Sequence, residues 1–268
     1  MKKIFFFLAV VLTAFSCSND TDTQASQSDD NAGPPLLAYN VVNVYPHDTA
    51  SFTEGLLVHN GQLYESTGGS PKLDSYISWF GPVDLQSGKP VKKVLLDTSY
   101  FGEGITIFNG KLYQLTWEHQ IGFVYDATTL QKIKDFTYTG EGWSLTHDGK
   151  SLIMSDGSSN LRYLDPESLK VQKILGVEDN NGPVSNINEL EWIRGYIYAN
   201  VWQTNYIIKI DPASGKVIGK YDLTALYDEA KKKFSTADVL NGIAYDSAAN
   251  KVYITGKTWP NLYEIKIN

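Results

Sequence analysis

Cysteine is nearly missing from this 268-residue sequence. With Cys17 as the only one, an internal disulfide and a thiolate metal site are both excluded. Histidine is scarce too: His47, His59, His119 and His147 are scattered without ligand spacing, which argues against a zinc hydrolase and leaves surface or turn positions as their expected places. Positive charge is in deficit, 23 Lys and Arg against 30 Asp and Glu, and a net charge of -7 argues against nucleic acid as a partner. The apolar run Ile4 to Phe15 is too short to span a membrane comfortably. Helical patterning is confined to LTALYDEAKKKF, Leu223 to Phe234, whose Leu, Ala and Tyr are suited to pack on a site rim and whose Lys run reads as a solvated face.

Aromatic residues, by contrast, are plentiful, with 17 Tyr, 11 Phe and 6 Trp in a chain that is 42% hydrophobic and 20% charged. That composition suits a globular protein rich in strands. The opening MKKIFFFLAVVLTAFSC combines two lysines, a short apolar run and a small residue before Cys17, and it resembles a bacterial lipoprotein signal. Residues 1–17 are therefore expected to direct export, with Cys17 lipidated and membrane contact made through that anchor alone, in an envelope lipoprotein facing the periplasm or the cell surface. A plain secretory peptide with an incidental Cys is the alternative. Residues 18–37 read as a flexible polar tether, and residues 38–268 as the folded domain.

Within that domain three phrases recur in fixed order. The first is FTEGLLV, FGEGITI, TGEGWSL, INELEWI and VLNGIAY; the second is NGQLYEST, NGKLYQLTW, DGKSLIMSDG, RGYIYANVW and NKVYITGK. The third is a strand ending in an Asp-containing turn that leads to another strand, as in YDATTLQKIKDFTY and IDPASGKVIGKYDL, and its Asp turns are loop chemistry with no site attached. Tyr64, Tyr113, Ile153, Tyr198 and Tyr253 mark one position at spacings of 49, 40, 45 and 55. Units of that length with four strands are propeller blades. The fifth unit lacks its last strand, and YNVVNVYPHD, residues 39–48, supplies one. The expected fold is an all-β, five-bladed β-propeller whose ring is closed by the N-terminal strand completing the last blade.

In a propeller the start of each innermost strand and the end of the second share a face. Aligning the first phrases puts Glu54, Glu103, Glu141, Glu189 and Asn241 at one axial position; aligning the second puts Gly68, Trp117, Gly157, Trp202 and Lys257 at their common end. Trp143 and Asn188 lie close by. Such a rim suits a small-molecule or peptide-end site. Equally open at this point is a structural role, each Glu capping backbone N–H groups and each Trp packing between blades. Crowded carboxylates repel, so at least one should hold its proton tightly, unless a hard cation such as calcium neutralises them.

The phrases FTEGLL, FGEGIT, LYQLTW, GEGWSLT, INELEW, NVWQT, LNGIAYD and TGKTWPNLYEI are very similar to those of the glutaminyl-peptide cyclotransferases of the plant and bacterial type, over residues 39–268 and in the same order. The resemblance implies a five-bladed propeller without metal or cofactor. It implies as substrates peptides and proteins with N-terminal glutamine, converted to pyroglutamate with loss of ammonia, and a monomer is expected. It further implies Glu103 as general acid and base, Phe52, Glu54, Trp117, Trp143 and Trp202 around the substrate, and Asn188 and Lys257 holding its amide or oxyanion. Position 54 departs from the family, which commonly has Gln there, and SPKLDSYISWFGPVDL is longer than the family's loop. A non-catalytic envelope propeller that binds a ligand or protein, and a calcium-dependent lactonase-like hydrolase, are the competing readings.

Overall fold

In each repeat, short alternating runs of β-branched and aromatic residues are punctuated by turns that favour Asn and Gly, and each repeat folds into one antiparallel sheet. The computed structural model describes residues 33–69 and 77–267 besides residue 1. Cys17, most of the tether and the start of the long 70–85 segment lie outside the described residues. Residues 31–268 form one unit, to which the following description is confined.

Blade one consists of Thr53–His59, Gln62–Thr67, Trp79–Asp84 and an outer strand split into Lys89–Pro90 and Val94–Leu95. Blade two runs Gly102–Phe108, Lys111–Thr116, Ile121–Asp126 and Lys132–Thr137; blade three Ser144–His147, Leu152–Ser155, Asn160–Leu164 and Val171–Gly176. Blade four is Ile187–Ile193, Tyr196–Val201, Tyr206–Ile210 and Val217–Asp222. Blade five has Leu240–Asp246, Lys251–Gly256 and Asn261–Ile267, and Tyr39–Pro46 completes it antiparallel, from Tyr39 opposite Ile267 to Pro46 opposite Asn261 with a register shift between Val41 and Asn43. The ring thus closes as the sequence predicts.

Two tight turns at the inner hairpins carry the expected residues: Asn60-Gly61 and Asn109-Gly110 all have positive φ, the backbone twist that matches paired strands. The innermost strands are buried and pack on one another around the axis, while the outer strands of blades two and three are mostly exposed. Between blades sit aliphatic and aromatic side chains such as Leu112, Leu152, Ile197 and Ile254, each contributing about 1.5–3 kcal/mol by burial.

His47 corrects the sequence reading. Its expected place is the surface or a turn, yet it is buried at the junction between the closing strand and blade one. Its Nδ1 lies 2.7 Å from the Trp259 carbonyl and its Nε2 3.0 Å from Glu65 Oε1. Burial alone would depress the imidazole, but the Glu65 carboxylate outweighs it and holds His47 above its ordinary value. The end of the expected tether is also ordered against the domain. Leu37 N–H donates to the Lys220 carbonyl at 2.8 Å, and Lys220 N–H to the Pro35 carbonyl at 2.9 Å, so residues 35–37 run along the outer edge of blade four.

The helix spans Thr224–Lys233 and buries Leu226 and Ala230 in the cluster shared by blades four and five. It does not wall the rim as its pattern suggests; the loop that follows it does. Lys231 donates to the Ser235 and Ala237 carbonyls and fixes that loop. A two-residue hairpin, Glu178–Asp179 with Gly182–Pro183, is inserted between blades three and four, too short to leave a periodic signal.

Candidate active site

The glycines around Glu103 are required by the approach of neighbouring blades. A Cβ on Gly104 would lie 2.4 Å from Ser144 Cα, and one on Gly55 2.8 Å from the Ile105 nitrogen. Gly104 N–H instead donates to the Trp143 carbonyl at 2.9 Å. Innermost strands therefore meet backbone to backbone, and Glu103 is carried to the axis between residues with no side chain to obstruct the contact.

Strand register revises which residues are equivalent. The pairs Thr53 with Thr67, Gly102 with Thr116, Ile187 with Val201 and Leu240 with Gly256 open the inner hairpins of four blades. The next residue in each is Glu54, Glu103, Asn188 and Asn241. In blade three, Ser144 pairs with Ser155 as Gly55 does with Ser66, which puts Trp143 at the same position. Ser66 and Ser155 confirm the match: their hydroxyls donate to the carbonyls of Glu103 and Asn188 in the next blade, at 2.6 and 2.7 Å. The axial set is thus Glu54, Glu103, Trp143, Asn188 and Asn241, and Glu141 and Glu189 do not belong to it, contrary to the phrase alignment. The extra residue of INELEW and the turn before GWSLT shift that alignment.

Glu189 is fully buried in the channel, where its two oxygens accept from Leu56 N–H at 3.2 Å and Ile243 N–H at 2.9 Å. It fulfils the backbone-capping role. Burial, then the nearby Glu191, pushes its carboxyl well above the usual range.

A cavity of about 430 Å³ opens at the rim, lined by Phe52, Glu54, Glu103, Trp117, Trp143, Asn188, Trp202 and Lys257, so all eight site residues expected from the sequence converge there. Phe101, Gln203, Asp238 and Val239 complete the lining. Phe101 had a readable signal, since it stands two residues before Glu103 as Phe52 does before Glu54, and both carbonyls accept the N–H of a second-strand end, Trp117 and Gly68. Gln203 and the Asp238-Val239 pair sit in irregular segments that no repeat marks.

Lys257 Nζ lies 2.6 Å from Glu54 Oε1 and 4.5 Å from the centre of the Phe52 ring. Its place is set by a tight turn: Thr258 has φ +59 and donates its N–H to the Ser51 carbonyl, while the Trp259 indole, fully buried, donates to the Asp238 carbonyl. A β-branched residue in the left-handed region is strained, and such strain gathers at functional sites. Gly256 leaves room for the Trp259 ring, which a Cβ would meet at 2.3 Å.

The Glu54 and Glu103 carboxyl groups are buried side by side and act on each other directly. Burial and then the Glu54 charge raise Glu103 well above a free carboxyl, with a smaller push from Glu141. Burial also raises Glu54, but Lys257 opposes it. Both carboxyls are raised, and with Lys257 beside Glu54 it is Glu103 that holds its proton more tightly. Asn188, 4% exposed, leaves its side-chain oxygen buried without a partner among the described residues. An unpaired buried amide oxygen in a cavity is an acceptor kept for a ligand.

A larger cavity, about 690 Å³, opens where the inner hairpins turn, beside Glu191, His59 and His147. Burial pushes Glu191 up to about 8. Its oxygens are already occupied by Tyr245 N–H and the Thr146 hydroxyl, and the Asp148 carboxylate in the same lining accepts from Lys150 and Ser151 N–H. The smaller cavity is therefore the candidate active site.

The chain matches the glutamine cyclotransferase family model over residues 8–267. It is 40% identical over 247 residues to the glutaminyl-peptide cyclotransferase of Arabidopsis thaliana, covering 91% of this chain and 76% of that protein. Among solved structures it is similar to the Myxococcus xanthus glutaminyl cyclase, with a TM-score of 0.81 and 33% identity over 88% of this chain and 98% of that one. With the propeller and a rim of carboxyls, indoles and a lysine already in place, these likenesses show that the chain belongs to the glutamine cyclotransferase family.

Proposed function

We propose that the chain is a glutaminyl-peptide cyclotransferase, an acyltransferase that closes the N-terminal glutamine of a peptide or protein onto its own α-amine. The nitrogen attacks the side-chain amide carbon, the five-membered ring forms, the carbon–nitrogen bond to the amide nitrogen breaks, and ammonia leaves. One proton must pass from the attacking nitrogen to the departing one. The observation that carries this reading is the convergence of Glu103 and the Glu54–Lys257 pair, 2.6 Å apart, with Phe52, Trp117, Trp143 and Trp202 in one cavity.

A free carboxyl at 4.5 lies roughly 3 units below an α-amine at about 7.7–8.0, so taking a proton from the ammonium would be uphill by about 4–5 kcal/mol. Raising Glu103 narrows that gap. The neutral amine can then attack while Glu103 gives its proton to the leaving nitrogen and recovers one from the ring nitrogen. Lys257 keeps donors beyond the one spent on Glu54 and faces the developing oxyanion, whereas the Asn188 oxygen accepts from the substrate N–H. Phe52, Trp117, Trp143 and Trp202 fold the glutamine side chain back on its amine and give an ammonium terminus aromatic faces.

A peptide beginning with Gln, incubated with the domain from Leu36 onward, should release ammonia and lose the corresponding mass, equally with and without chelator. Turnover abolished by chelator and restored by calcium would favour the lactonase-like reading; no turnover at high enzyme would favour a ligand-binding propeller. The same proposal places the chain in the cell envelope as a monomer with lipid on Cys17. Mass spectrometry of the mature N-terminus tests that, a diacylated Cys17 being expected and an unmodified one contrary.

A further inference from the structure

The side walls of the pocket are tied together by a residue outside it. Trp117 Nε1 donates to Glu141 Oε2 at 2.8 Å, and Trp143 Nε1 donates to the same oxygen at 2.7 Å. Aromatic edges extend the chain on both sides: Phe52 to Phe101 at 6.3 Å, Phe101 to Trp117 at 5.7 Å, and Trp143 to Trp202 at 5.6 Å between ring centroids. Five aromatic walls thus form one series, and Glu141 is the joint between blades two and three.

Trp117 needs such a joint. It is 38% exposed and has ring contact with Phe101 on one side. Solvent can satisfy an exposed indole N–H as well as a carboxylate can, so the bond adds orientation more than stability. Trp143 is fitted more closely: a Cβ on Gly157 would lie 2.5 Å from its ring, so that glycine exists to admit the indole. Gly142 N–H donates to the Trp117 carbonyl at 3.0 Å, which fixes the segment carrying Glu141 to the residue it clamps. Glu141 accepts no backbone N–H among the described hydrogen bonds, so the capping role taken by Glu189 does not account for it.

We propose that Glu141 is a positioning residue for the cyclisation, its one carboxylate oxygen locking the Trp117 and Trp143 rings in the orientation that receives the folded glutamine terminus. The substrate part of this inference rests on the cyclotransferase reading, and the ring-locking part stands without it. Loss of the clamp frees Trp117 to rotate toward solvent, which weakens binding while leaving Glu103 and Lys257 in place. Ground-state and transition-state binding then fall together.

The test compares wild type, Glu141→Ala and Glu141→Gln. Gln keeps an oxygen that accepts both indoles. In the Ala variant KM for a Gln-peptide should rise on the order of tenfold, the loss of an oriented aromatic wall, with kcat changed less than about threefold. Gln should bring KM back to within about threefold of wild type. Tryptophan emission of the substrate-free protein should shift to the red in Ala and not in Gln. Wild-type KM and emission in the Ala variant would overturn the proposal, as would a Gln variant as impaired as Ala. If wild type turns over no Gln-peptide, the cyclotransferase reading fails, and the emission comparison still decides whether Glu141 locks the rings.

Discussion

Lys257 holds Glu54 at 2.6 Å with both side chains buried; its charge opposes the rise that burial imposes on Glu54 and leaves Glu103 the carboxyl that holds its proton more tightly. The charge at position 54, where the family resemblance implies an amide, is thereby absorbed into the site.

Glu54→Gln should move to lower pH the limb of the kcat/KM profile that Glu103 sets. Glu54 raises Glu103 chiefly through its charge, and Lys257 lowers it. Removing the Glu54 charge and freeing Lys257 act in one direction. A pH series on a Gln-peptide measures this; a limb that stays in place or moves up would show that Glu54 does not set the Glu103 proton.

Gly104→Ala should destabilise the domain by about 3 kcal/mol or more, because its Cβ would meet backbone of the next blade at 2.4 Å and rigid backbone cannot yield cheaply. Gly61→Ala is the control. A Cβ there meets nothing within 4 Å, and only its φ of +75 opposes the substitution. Denaturant midpoints of the two variants should differ in that order.

Stability should fall between about pH 5 and pH 9. Glu191 is raised from 4.5 to about 8, so the native state binds its proton more tightly than the unfolded chain does; the contribution is complete below 4.5 and is lost as pH rises through about 8. Glu103 and Glu189 act in the same sense. Glu191→Gln should flatten the slope of melting temperature against pH, by on the order of 2 kcal/mol across the window, since part of the carboxyl is open to the lower cavity. An unchanged slope would mean that Glu191 titrates normally.

The blade count, the closing strand and seven of the eight rim residues are legible in the repeats, because a propeller writes its geometry that way, and Phe52 comes from the family resemblance. Trp117 and Lys257 end equivalent phrases and follow equivalent strands. What spacing cannot resolve is register. Glu189 matches Glu103 by phrase yet points into the channel one residue beyond the axial position, which Asn188 occupies. Single-residue shifts reverse the face of a side chain, and no propensity marks them. Burial of His47 is equally illegible, since its partners Glu65 and Trp259 meet it only when the ring closes. Asp238 and Val239 reach the pocket from a loop whose position depends on where the helix docks.

The role of Glu103 is decided by turnover of a Gln-peptide by Glu103→Gln beside wild type, read as ammonia release, with thermal melts of both. The substituted amide is nearly isosteric with the carboxyl and cannot carry the proton between the two nitrogens, so kcat should fall about 10²–10⁴-fold with the fold retained. Wild-type turnover in the folded variant would show that Glu103 does not move the proton.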